Sequence, residues 1–165
     1  MKSDAKDQLK KILGTYDNKL AEENRLAAAK RAADAAFPER FAALKTETIR
    51  PLIQEFVELL SGHGHEATAR EQEESSSSAG GVSYAAISLR VTPKPFAHKS
   101  VETNKSFIEV TFSANRSERK VTVSSSNTMI HSSGSVGKRG EYEIDAMTAD
   151  VVADHVIQTL QEALR

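Results

Sequence analysis

The residues with the clearest chemical potential are a histidine pair, His63-Gly-His65, followed directly by Glu66. Alternate residues of a strand point to the same side, so two imidazoles at this spacing converge on one ion. A zinc site needs a third ligand and usually a fourth. His98, His131 and His155 are the other imidazoles, and only the fold could bring them near. His63 and His65 are therefore the candidate metal ligands, set against the plainer reading of solvated histidines at a glycine-flanked helix exit. No other pattern in the chain implies a cofactor.

A second motif, Gly134-Ser-Val-Gly-Lys138, resembles a phosphate-binding loop. A true P-loop places four residues between its glycines and follows the lysine with a hydroxyl residue that opens a helix. Here the spacing is short, Arg139 stands where the hydroxyl belongs, and a strand is expected next. Nucleotide binding is not supported on this motif. Lys138 and Arg139 remain candidates for contact with an anion at the tip of a hairpin loop. Further basic residues, Arg90, Lys94, Lys99, Lys105, Arg116, Arg119 and Lys120, are scattered through the C-terminal half. A sheet that binds RNA interleaves such cations with stacking aromatics. By alternation only Phe107 qualifies, with Glu109 two residues on, so a solvated face is favoured and nucleic acid is not expected as a partner. Phosphate contact by Arg116, Arg119, Lys120, Lys138 and Arg139 is kept as a third functional reading.

Catalysis finds little support. Serines are abundant, but no Gly-x-Ser-x-Gly elbow occurs. Glu141, Glu143 and Asp145 share one strand face, yet paired carboxylates do acid–base work only in a cleft that separates their pKa values. On a terminal strand they are expected to face water and blunt the sheet edge. No catalytic residue is assigned.

These side chains must be positioned by helices at the two ends of the chain and strands between. Ser3 and Asp4 suit a helix start. Leu9, Leu13, Tyr16, Leu20 and Ala27 then make a narrow stripe in steps of three and four, interrupted by Asn24, like a short coiled-coil seam. Phe37-Pro38 interrupts this segment, and Pro38 suits the first turn of a second helix. That helix carries Phe41, Leu44, Leu52 and Phe56, with a kink expected near Ile49–Leu52 from Pro51 and a left-handed end at Gly62. No glycine-bearing loop separates the two helices, so a kinked continuous segment is preferred to a hairpin.

Past Gly62 the period changes from helical to alternating. His65 to Gln72 reads as a weak edge strand and Glu73 to Gly81 as a flexible connection. Ile87-Leu89-Val91, Ile108-Val110-Phe112-Ala114 and Val121-Val123 read as half-buried strands, with a tight turn at Asn115–Glu118. A strand at Met129 to His131, a Gly/Ser loop over Ser132 to Gly140, and a last strand at Tyr142 and Ile144 complete the sheet. Thr148 caps a final helix whose face is Val152, Val156, Leu160 and Leu164. The expectation is an α+β fold: a long kinked N-terminal helical segment, an antiparallel meander of four to five strands, and a C-terminal helix on the sheet. Residues 1–62 would form a helical oligomerisation segment and residues 63–165 a small α+β domain.

Composition sets bounds on function. The 165 residues carry a formal net charge of −1, so the strongly basic footprint of a duplex or anionic-membrane binder is absent. There is no cysteine, which removes thiol chemistry and fits a reducing compartment. The N-terminus opens no apolar leader and no run reaches membrane-spanning length. A cytoplasmic location and no membrane partner are expected. Tryptophan is absent and only 5% of residues are aromatic, so the core is modest and a partner chain would add stability. The preferred reading is a non-enzymatic homodimer, joined through Leu9, Leu13, Tyr16, Leu20, Phe41, Leu44, Leu52 and Phe56. The alternative is a metal- or small-molecule-binding domain whose pocket lies between sheet and C-terminal helix. Ile87, Val110, Phe112 and Val156 would line it, and His63, His65 or His131 would supply polar contacts.

Overall fold

Strict alternation of branched apolar and small polar residues makes the strands, and their short connections make them antiparallel neighbours. In the computed structural model the described residues are 3–76, 78, 80–94, 106–128 and 135–164. Five strands pair side by side: β1 (Glu66–Gln72), β4 (Ala86–Thr92), β5 (Ile108–Asn115), β6 (Lys120–Asn127) and β7 (Ser135–Glu143). Every pairing is antiparallel. Two short strands, β2 (Ser75–Ser76) and β3 (Val82–Ser83), form a separate ribbon inside the expected flexible connection.

The helices are α1 (Ser3–Leu44), α2 (Arg50–Gly62) and α3 (Ala149–Ala163), with a π turn at Lys45–Ile49 between the first two. The fold is α+β, with a long N-terminal helix and a C-terminal helix packed on the sheet. No helix among the described residues is long and apolar enough to cross a membrane.

The chain divides into two compact units, Met1–Phe37 and Pro38–Arg165. The second therefore takes in residues 38–62, which the sequence reading placed with the oligomerisation segment. The physical reason is burial: Phe41, Ile49 and Ile53 are core residues at 0–1% exposure. α2 packs on β1 and β4 while α3 packs on β5 and β6, so two helices cover the apolar sheet face, not the C-terminal helix alone. Beneath them lie Ile87, Leu89 and Val91 of β4, Ile108, Val110 and Phe112 of β5, and Val121 and Val123 of β6.

Prolines and glycines act differently from the sequence reading in three places. Helical residues continue through Pro38, which forfeits one backbone bond without ending α1. Pro51 also lacks an N–H, and the disturbance appears one turn earlier as the π turn, where the Arg50 N–H bonds the Lys45 carbonyl. The end of α2 is a Schellman closure: His65 N–H donates to the Leu60 carbonyl at 3.0 Å and Gly64 N–H to that of Ser61 at 3.0 Å. Gly64, with φ +85°, holds the left-handed position assigned to Gly62. At the other end of the fold, Thr148 caps α3 as expected, its Oγ1 accepting from Val151 N–H at 3.4 Å.

The tight turn after β5 is held by Asn115, whose Oδ1 accepts from Ser117 Oγ at 2.8 Å and Glu118 N–H at 3.3 Å. Strand β7 begins at Ser135, so the glycine-rich stretch read as loop is largely strand, and Ile144 falls in a short 3-10 turn. The expected strand at Met129 to His131 lies outside the described residues.

Candidate functional site

The first unit presents an unpartnered apolar stripe. Leu9, Leu13, Tyr16 and Leu20 are 47%, 51%, 61% and 43% exposed, and Ile12 beside them is 65% exposed. Side chains three and four apart share a helix face, so these form one surface. Around it the helix is solvated and charged, with Arg25 paired to Glu22 at 2.6 Å and Lys19 set 4.0 Å from Glu23.

The other four residues expected at that interface behave differently. Phe41 is 1% exposed in the single chain and lies in its core. Leu44, Leu52 and Phe56 are half-buried. Polar anchors tie the same segment to the sheet. Lys45, nearly buried, places Nζ 2.7 Å from Glu73 and 3.4 Å from Glu71. Arg50 grips both oxygens of Glu71, at 2.6 and 2.7 Å. That guanidinium holds the Glu71 carboxyl below its ordinary range, and Lys45 adds to the effect.

His63 ends α2, and His65 Nδ1 accepts the backbone N–H of Lys94 at 3.1 Å. Among the described residues no group of three or more His, Asp or Glu side chains gathers to hold a metal ion. His98 and His131 lie outside the described residues. Lys138 and Arg139 stand in β7 and face carboxylates of their own chain, Lys138 to Glu141 at 2.5 Å and Arg139 to both oxygens of Glu162 at 3.1 and 2.5 Å. A bulge opposite Val123 and Ser124 lets Arg139 turn toward α3, while its Nε donates to Ser125 Oγ of β6 at 2.7 Å. Arg116 is similarly engaged, 3.1 Å from Glu74. Glu141, held by Lys138, titrates below its ordinary range, as structural ion pairing requires.

Ile87, Val110, Phe112 and Val156, expected to line a ligand pocket, are 0–1% exposed and form the packed layer between sheet and helices. At the margin of that layer the Tyr142 hydroxyl and His155 Nε2 share a hydrogen bond of 2.7 Å, with the rings edge to face at 5.5 Å. Burial, then the Arg139 charge, hold the imidazole pKa down against the opposing pull of Asp154. The sequence offers His155 only as one of the further imidazoles, with no partner assigned. Its partner was legible only in part, since no spacing rule links a strand tyrosine to a helix thirteen residues on.

The opposite sheet face is polar, and one part of it is organised. Arg90 lays its guanidinium carbon 3.5 Å from the centre of the Phe107 ring. The strand register sets Arg90 between Thr68 of β1 and Glu109 of β5. Glu109 is occupied by Ser88, whose Oγ donates to it at 2.8 Å. Glu66, Thr68, Arg70, Arg90, Thr92 and Phe107 surround an open depression of ≈ 280 Å³. Alternation identified Phe107 and Arg90 as residues of this face, but their stacking depends on cross-strand register. Comparison of the chain with known protein families, with curated proteins and with solved structures finds no match.

Proposed function

We propose that the protein is a homo-oligomeric interaction module, two copies pairing through the exposed stripe of α1. The observation that carries this reading is the set Leu9, Ile12, Leu13, Tyr16 and Leu20, all at least 43% exposed on one helix face. A contiguous apolar surface of this kind on a charged helix marks an interaction site. Its steps of four, three and four match the 3.5-residue period by which two like helices keep their seams in contact. In a parallel pair the residues flanking the seam set Ile12 against Asp17 and Lys19 against Asn24, while Lys6 and Glu23 bound the apolar stretch at its two ends. The following alanines, Ala27 to Ala29 and Ala32 to Ala33, allow close approach of a second backbone.

The test is the mass of the full chain in solution, measured by light scattering, for the native sequence and for Leu13→Asp/Leu20→Asp. Dimer mass in the first and monomer mass in the second is the expected result. A native monomer across the micromolar range, or a dimer unaffected by both aspartates, would refute the assignment.

A further inference from the structure

Most of the cations with defined partners in this chain have found a carboxylate: Arg25, Arg40, Arg50, Arg116, Lys138 and Arg139 each sit against a Glu or Asp. Two arginines on the polar sheet face have not. Neither Arg70 nor Arg90 makes an ion pair among the described residues, and Arg90 Nε is buried without a hydrogen-bond partner. A buried guanidinium donor left unpaired is costly, so its retention beside an open depression points to a partner that arrives from solution.

We propose that Arg70 and Arg90, with the hydroxyls of Thr68 and Thr92, form a binding site for the phosphoryl group of a small phosphomonoester. The four side chains come from adjacent strands, β1 and β4, and line one depression. Stacking on Phe107 pre-orients the Arg90 plane, which lowers the entropy lost when a ligand is gripped. The donor set suits a tetrahedral dianion better than a planar carboxylate. It offers two guanidiniums and two hydroxyls to three terminal oxygens, and a dianion gains more from the two guanidiniums than it loses to the single Glu66 carboxylate at the rim. The open mouth leaves the organic part of the ester outside, where Phe107 offers an apolar edge. This site shares no residue with the α1 stripe and does not depend on self-association.

The experiment is titration of the isotopically labelled full chain with inorganic phosphate, then phenyl phosphate, followed by amide and arginine side-chain resonances. Shifts centred on Thr68, Arg70, Arg90 and Thr92 are expected. Arg70→Ala and Arg90→Lys should each weaken phenyl phosphate by about tenfold or more, the value of one charge-assisted bond. Lys120→Ala, on the same face but outside the depression, should change affinity less than about twofold by the same reasoning. Arg70 is exposed, so its variant keeps the fold, checked by the unchanged remainder of the spectrum. Absence of shifts at these four residues would overturn the site, as would equal loss in Lys120→Ala. Acetate binding as tightly as phosphate would overturn the phosphoryl assignment. So would a single-stranded oligonucleotide that binds far more tightly, with steep salt dependence.

Discussion

Replacing Phe41 by alanine separates a core role from an interface role for this residue. The ring is 1% exposed within one chain, so the substitution removes an aromatic side chain from packed surroundings and leaves a cavity. Changes of this kind cost about 3–5 kcal/mol. That is a large share of the about 5–15 kcal/mol that separates a domain from its unfolded state. For a unit of this size each kcal/mol lowers the melting temperature by roughly 3 °C, so a drop of about 10 °C or more is expected. Calorimetry on the full chain, repeated over a hundredfold dilution, gives the measurement. The decrease should persist at every concentration while the solution mass stays that of the native chain. A melting point within about 2 °C of the native one, together with a halved mass, would show that Phe41 belongs to an intermolecular seam and that the reasoning from burial fails.

Two further outcomes follow from the margin between β7 and α3. At Gly140 an added Cβ would lie 2.8 Å from Tyr142 Cε2 and 3.1 Å from its hydroxyl, and the His155 bond prevents that ring from moving aside. Gly140→Ala should therefore destabilise by about 1–3 kcal/mol in urea unfolding, and a neutral effect would refute the close approach. His155 has its pKa depressed on folding, so between that value and the ordinary one near about 6.5 the unfolded chain binds more protons. Stability should rise with pH through this window and fall as acid protonates the imidazole. His155→Gln, which can still bond Tyr142, should flatten the slope relative to the native chain; an unchanged slope would show that His155 is not its source.

The sequence by itself determined the kinds of element and most of their faces. Period-2 alternation in Ile108–Ala114 and Val121–Val123 dictated half-buried strands, and those residues are buried as the pattern requires. Thr148 announced the start of α3, because a hydroxyl at that position meets an otherwise unsatisfied N–H. The exposed stripe of α1 was also legible, since a seam at 3.5-residue spacing needs no tertiary information. Three-dimensional packing decided the rest. Phe41, Ile49 and Ile53 read as the same helical stripe whether they meet a second chain or their own sheet, and only their burial within the single chain, with α2 on β1 and β4 and the π turn against α3, assigns them to the core. Lys138 and Arg139 looked like a free basic loop until a bulge in the β6–β7 pairing turned them toward carboxylates, Glu141 of the same strand and Glu162 of α3. Arg70, Arg90 and Phe107 are ordinary residues in the linear chain. Register alone gathers them, because hydrogen-bonded strands lie less than about 5 Å apart and bring together side chains that sequence separates widely.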